Sequence, residues 1–206
     1  LIHLPGYGAR RVPEMTDAKR ILPSLKQAIA DVRRARDAVV ALPVVDPSVV
    51  GVEGTSLGGF VTATVAGLDR GYDRVFILLA GGNLQEVVLH GAKDAAKVRE
   101  KLAAAGVSDE QIKDMARQVE PLRLAHRMNP AETWLYCGKF DDVVPPSCSL
   151  ALAEAARLPA GHHIELPADH YSGFLYLPQV VQQMSQRMTR PLEASRPRET
   201  VPAAAE

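Results

Sequence analysis

The sequence is short of cysteine, has no excess charge of either sign and contains no long apolar run. Its two cysteines, Cys137 and Cys148, are too few among 206 residues for a disulfide framework to stand in for a hydrophobic core. The two could bridge each other, but Cys137 falls in an apolar run that reads as a central strand. A buried free thiol is therefore the expectation, and a reducing compartment is mildly favoured. Lys and Arg number 24, as do Asp and Glu, so no net field draws the chain to nucleic acid. No basic stripe with interleaved aromatics is present either, and Arg33-Arg34-Ala35-Arg36, the densest basic stretch, reads as the wet face of a helix. No uninterrupted apolar run approaches the roughly 20 residues that span a bilayer. The chain opens on Leu1-Ile2-His3-Leu4-Pro5, with neither Met nor a signal peptide, so its compartment cannot be read.

What is present is enough for a core: 47% of residues are apolar and 23% charged, ordinary proportions for a globular enzyme. Leu1 to Leu4 reads as a short strand stopped by Pro5-Gly6-Tyr7-Gly8. From Asp17 to Leu42 apolar residues recur at helical spacing (Ile21, Leu25, Ile29, Val32, Val39), and Pro23 places the true helix start near Leu22. Val49 to Val52 and Arg74 to Ala80 are runs without polar alternation, as buried parallel strands require. Residues 83 to 131 carry helical signals only. Gly106 closes one helix as a C′ residue, and Ser108 with Gln111 opens the next as a capping box. Thr133 to Cys137 and Ile164 to Pro167 read as strands, with helices over Ser147 to Leu158 and Phe174 to Met188. Strands alternating with helices give an α/β class with a mainly parallel sheet flanked by helices. Residues 1–189 form the core, and 190–206 read as a disordered tail.

The chemistry is written in three places. Gly54-Thr55-Ser56-Leu57-Gly58 is a Gly-x-Ser-x-Gly turn between a buried strand and a helix, the context a nucleophile elbow requires. The sharp turn is expected to need residues without Cβ on both sides of Ser56, at Gly54 and Gly58. A serine hydroxyl needs a base, and the base an acid to hold its tautomer. Gly138-Lys139-Phe140-Asp141-Asp142-Val143-Val144-Pro145 follows one strand, and Ala168-Asp169-His170 follows the last. Both groups thus lie past strand C-termini, where open α/β sheets build their sites. The other histidines have ordinary readings: His3 as a satisfied core residue, His162 and His163 as surface or strand-start residues, His90 and His126 as residues of the helical stretch. No set has metal-ligand spacing, so neither metal nor cofactor is expected.

With Ser56, Asp141 and His170 in that order, the chain resembles the α/β-hydrolase superfamily from Leu1 to about Met188. Ser56-Leu57-Gly58-Gly59 is similar to the elbows of its bacterial esterase and deacetylase-like branches. The resemblance implies Ser56 as nucleophile, Asp141 as acid in preference to Asp142, His170 as base and the N–H of Leu57 as an oxyanion donor. It also implies a lid-like role for the helical insertion over about 83–131.

The superfamily's sheet is larger than the five strands this sequence supports. If Leu1 to Leu4 is its fourth strand, strands one to three are absent, and with them the second oxyanion donor. The alternative makes Leu1 to Leu4 the third strand, with Gly6 or Tyr7 as donor. Hydrolysis of a small ester or acyl substrate through an acyl-enzyme is the function expected. A serine peptidase is the rival within the fold, and a non-catalytic binding protein or inactive fragment the rival outside it. With a strand edge left open, Leu1 to Glu206 expressed alone is expected to self-associate as homo-oligomers or aggregates. With one oxyanion donor lost it should turn over about 100- to 1,000-fold more slowly than a complete site. Size-exclusion chromatography and p-nitrophenyl ester hydrolysis check both; a monomer with robust Ser56-dependent turnover overturns the strand assignment.

Overall fold

Four strands form: β1 (Gly51–Thr55), which begins two residues after Val49 and is exposed at Gly51 and Glu53 where a buried run was expected, β2 (Arg74–Leu78), β3 (Thr133–Gly138) and β4 (His163–Leu166). They belong to a computed structural model that describes residues 1–11 and 17–191. The strands are parallel and pair in chain order, β1-β2-β3-β4, with Gly51 opposite Arg74, Val75 opposite Thr133 and Leu135 opposite His163. β2 and β3 are buried along their whole length, which is why they lack the polar alternation of a half-exposed strand.

Alternate residues of those strands feed two cores. Val52, Val75, Ile77 and Leu135 face the larger one. It is covered by α1 (Ile21–Val40), α2 (Leu57–Leu68) and α6 (Pro146–Ala155). Phe76, Leu78, Trp134 and Tyr136 face the smaller one, beneath α7 (Leu177–Met188). Pro23 is the third residue of α1, inside the first turn, where its missing N–H costs no helical bond. α2 is buried continuously from Gly59 to Gly67 because it is apolar or small on every side.

Between β2 and β3 run α3 (Leu84–His90), α4 (Asp94–Ala104) and α5 (Asp109–Arg117). Gly106, at φ +74, closes α4: its N–H donates to Ala103 and that of Val107 to Leu102, both bonds of a Schellman motif. Ser108 and Gln111 form both bonds of the expected capping box at α5. Leu102 and Ile112 bury against Ala18 and Ile21 at the start of α1. Leu84, Val87, Ala95 and Ala116 join the main core, so these helices are continuous with the domain. Among the described residues no helix is long and apolar enough to cross a membrane.

The structure departs from the sequence reading at several points. Among the described residues, residues 1–4 pair with no strand and the sheet has four strands where five were expected; neither the third- nor the fourth-strand assignment describes this segment. It is held locally instead: the Leu4 carbonyl accepts from the Tyr7 N–H (3.0 Å), and Arg10 donates to the His3 carbonyl (3.1 Å) and pairs with Asp31 of α1 (2.5 Å). His3 is exposed, not a core residue, and its Nδ1 accepts from the Ala9 N–H. Arg36 leaves the wet face of α1 to donate to the Gly71 carbonyl (2.7 Å). The last helix begins at Leu177, after a 3-10 turn over Ser172–Tyr176. From residue 192 onward the expected tail lies outside the described residues.

At the N-terminal edge of the sheet Arg74 is buried to 2% and paired with the equally sequestered Glu132. Its guanidinium also donates to the carbonyls of Arg187 and Arg190, clamping the C-terminal end of α7 to β2. A buried charge with one partner removed costs about 3–5 kcal/mol. Arg74→Met should therefore lower unfolding free energy by about that much in urea titrations, with part recovered by adding Glu132→Gln. A single variant within about 1 kcal/mol of the parent would show the clamp to be inert.

Candidate active site

Ser56 follows the last residue of β1 and precedes the first of α2. Its backbone is at φ 53, ψ −118, a region a side chain rarely enters and that costs about 1–3 kcal/mol. The strain is held from both sides: the Ser56 N–H donates to the Leu78 carbonyl (2.8 Å), and its carbonyl accepts from Phe60 (3.1 Å). The turn lifts Oγ to 2.9 Å from His170 Nε2. Leu57 is the first residue of α2, where the N–H has no intrahelical acceptor and the helix dipole favours negative charge.

The glycine requirement is partly other than expected. A Cβ on Gly54 would lie 2.2 Å from the Gly58 carbonyl oxygen, so that position must be glycine. A Cβ on Gly58 would meet nothing within 4 Å. The second close approach belongs to Gly59, whose Cβ would sit 2.6 Å from that of Ala80 and 2.9 Å from the Leu78 carbonyl. The helix thus presses on the sheet one residue later than the motif suggests.

Asp141 and His170 hang from neighbouring strand ends. The loop after β3 is stitched to that after β4 by Lys139 N–H to Leu166 O (2.8 Å) and Phe140 N–H to Ala168 O (3.0 Å). Gly138 sits at this seam, 2.7 Å from the Ala168 carbonyl at its Cβ position. Asp141 is 5% exposed; Oδ1 accepts from the N–H groups of Val143 (2.9 Å) and Val144 (2.8 Å). Its Oδ2 lies 2.7 Å from His170 Nδ1. Ser56, His170 and Asp141 therefore form one hydrogen-bonded chain. Asp142 does not join it: exposed, it pairs with Lys93 at 2.9 Å.

Other groups supporting the site carried weaker sequence signals. Asp169 accepts from the Ser172 N–H (2.7 Å), the Ser172 hydroxyl (2.8 Å) and the Tyr171 N–H (3.0 Å), bonds that hold its carboxyl below the usual range and wind the turn carrying His170. Ser172 Oγ in turn accepts from the Asp169 N–H (2.9 Å), so Asp169 and Ser172, three apart, were a legible local cap. Tyr171 donates to Asp94 (2.8 Å) and meets the His170 ring edge-on at 5.6 Å, contacts with no local signature.

The remaining histidines lie outside this chain of bonds. His90 and His126 are exposed, with His90 paired to Glu86. His162 stacks on Trp134 at 4.9 Å. His163 begins β4, its Nε2 lying 2.8 Å from Ser149 Oγ and 3.2 Å from Cys137 Sγ. Both cysteines are buried and form no disulfide; burial raises the Cys137 pKa and pushes that of Cys148 up to about 11, so neither is an ionised nucleophile. No cluster of His, Cys, Asp and Glu suited to a metal ion occurs among the described residues. A cavity of about 360 Å³ between α3 and α5, lined by Asn83, Lys113 and Glu120 among others, contains no residue of the Ser56 site.

A parallel sheet with a strained strand–serine–helix turn, and with carboxylate and imidazole on the next loops along the same edge, is the α/β-hydrolase fold. Residues 24–179 match the family model of the prolyl oligopeptidase family, and the chain belongs to that family. It is similar in structure to an acetyl xylan esterase from Paenibacillus sp. R4 (TM-score 0.65, 19% identity, covering 91% of this chain and 58% of that one). It is also similar to the Pyrococcus horikoshii acylaminoacyl peptidase (TM-score 0.67, 13% identity, 87% of this chain and 30% of that one). The protein TT1662 from Thermus thermophilus is a third (TM-score 0.62, 15% identity, 91% and 76%). At such identities the likeness is one of fold. The chain spans little more than half the length of the first and under a third of the second. No curated protein matches it by sequence.

Two measurements follow from these contacts. Gly54→Ala should destabilise by about 1–3 kcal/mol or more through overpacking, whereas Gly58→Ala should be neutral or stabilise by up to about 1 kcal/mol. Equal losses in thermal unfolding would restore the symmetrical requirement. The second concerns His163, whose pKa burial holds below its ordinary value. The unfolded chain then binds that proton at higher pH than the folded one. This contribution is lost as pH falls through about 6.5 and levels off below the folded-state value. His163→Gln should flatten that part of the stability profile in urea titrations; an unchanged slope would show that His163 does not contribute.

Proposed function

We propose that the chain is a serine hydrolase that cleaves ester-type acyl bonds through an acyl-enzyme intermediate. The observation that carries the reading is the unbroken path from Ser56 Oγ through His170 to Asp141, whose far oxygen is fixed by two backbone N–H groups. With Nδ1 donating to Asp141, His170 Nε2 is free to accept the Ser56 proton as Oγ attacks the acyl carbonyl. The carbonyl oxygen becomes an oxyanion beside the Leu57 N–H at the start of α2. Collapse expels the alcohol, which takes the proton back from His170. Water then repeats the sequence, with the acyl–Ser56 bond broken and the acid released.

A peptide bond in place of the ester is the second reading, favoured by the family and by the acylaminoacyl peptidase among the similar structures. The same residues serve it, with an amine leaving group protonated by His170. Parallel assays of a p-nitrophenyl acetate series and an aminoacyl p-nitroanilide series separate the two: faster kcat/KM on the anilides would replace the ester reading.

A fluorophosphonate probe should label Ser56, its Oγ displacing fluoride from phosphorus while His170 takes the proton. Labelling that persists in Ser56→Ala would overturn the assignment. Asp141→Asn should lower turnover by up to about 10⁴-fold through the wrong imidazole tautomer. Asp142→Asn should stay within about tenfold, the worth of a single exposed ion pair. The opposite ranking moves the acid to Asp142.

A further inference from the structure

We propose that Lys93 and Asp94, at the corner between α3 and α4, are positioning residues for His170 and Asp141, an inference resting on the triad reading above. Two of the three triad members, Asp141 and His170, are each followed in sequence by a residue this corner grips. Asp141 is followed by Asp142, whose carboxylate pairs with Lys93 Nζ at 2.9 Å. His170 is followed by Tyr171, whose hydroxyl donates to Asp94 at 2.8 Å. Lys93 Nζ also stands 5.2 Å from the centre of the Tyr171 ring, so one ammonium touches both loops.

The backbone repeats the same connection. The Ala92 N–H donates to the Asp142 carbonyl at 2.7 Å. A Cβ on Gly91 would lie 2.4 Å from the Val143 carbonyl, so the corner runs hard against the acid loop. Three consecutive residues, 91 to 93, thus abut the two that follow Asp141, while Asp94 holds the residue after His170.

Lys93 occupies φ +50, ψ −109, a conformation that glycine adopts freely and lysine does not. Ser56, at φ 53 and ψ −118, has nearly the same backbone. A strained lysine persists where surrounding structure over-determines it, and here its side chain reaches Asp142 and Tyr171 from that one conformation. If turn geometry alone mattered, glycine would serve better. Exposed ion pairs contribute little to stability, so the contacts' value lies in where they hold the two loops.

The test separates rate from stability in the full 206-residue chain. Lys93→Gly relieves the backbone and removes the ammonium, Asp94→Asn removes the carboxylate charge, and Lys93→Arg keeps the cation. Lys113→Met deletes a comparable exposed pair on α5 as a control. The readouts are the second-order rate of Ser56 labelling by a fluorophosphonate, the low-field proton resonance of the His170–Asp141 hydrogen bond, and Tm. Lys93→Gly combined with Asp94→Asn should slow labelling by about three- to thirtyfold, below the about hundredfold cost of a 1 Å misplacement. The low-field resonance should broaden or vanish, while Tm in Lys93→Gly stays level or rises. Lys93→Arg should restore the rate, and Lys113→Met should leave it unchanged. Parent-like labelling and resonance in the double variant, with the parent labelled at Ser56, would overturn the proposal alone. A parent not labelled at Ser56 would remove the triad reading and this inference together.

Discussion

A carboxylate that is almost wholly out of water must have its charge met by donors, and the placement of Asp141 follows from that constraint. Two backbone N–H groups and one imidazole do so. The backbone pair curls residues 141 to 144 into a turn, and that turn delivers Pro145 and Pro146 to the start of α6, which carries Cys148, Leu152 and Ala153 into the main core. The imidazole in turn fixes the loop after β4. One buried charge thereby orders two loops and a helix start. Replacing it by a neutral amide would keep most of the packing and still present the wrong donor to His170.

The elbow imposes the complementary constraint on the other side of the site. Ser56 cannot relax from its left-handed backbone because its N–H is bound to β2 and its carbonyl to α2. α2 in turn lies close to the sheet through Gly54 and Gly59, and close to the following segment through Gly67, whose Cβ would stand 2.6 Å from Leu124. Small residues on several sides let this helix be buried all round, with α1 outside it and the sheet within. A buried helix is hard to tilt, so its N-terminus, with the Leu57 N–H, keeps a fixed relation to Ser56.

Much of this was legible because its signals are local. Apolar runs without alternation marked β2 and β3, and the Schellman glycine at Gly106 and the box at Ser108 made the bonds their spacing implied. Ser56 and His170 could be named from strand ends and turn context, whereas the choice of Asp141 over Asp142 came from the resemblance to the superfamily. Features set by distant partners could not be named in this way. Leu1 to Leu4 has the composition of a strand, but a strand exists only where another pairs with it, and among the described residues none does. His3 accordingly faces solvent. Arg74 opens an apolar run and reads as a boundary charge; that Glu132 and the end of α7 would bury it is visible only in three dimensions. Gly58 was credited with a contact that Gly59 makes, because the motif records residue types and not the angle at which the helix meets the sheet.

The two edges of the sheet have different physical tasks. At the N-terminal edge Arg74 and Glu132 are buried together and bind the end of α7, so this charge serves cohesion and is matched within the protein. At the C-terminal edge the charges are graded by exposure: Asp141 is buried, while Asp142, Lys93 and Asp94 lie at the surface. A buried carboxylate holds an imidazole in one orientation strongly because little water competes for either group. Exposed pairs hold weakly, yet these act on residues immediately adjacent to Asp141 and His170, where a small displacement passes undiminished along the backbone. Because α7 is clamped at its far end by Arg74, the loop carrying His170 is confined between a fixed helix and the corner at Lys93. The flanks of that loop are thus held unequally, by a buried clamp through α7 on one side and by exposed contacts on the other, while Asp141 holds the imidazole itself.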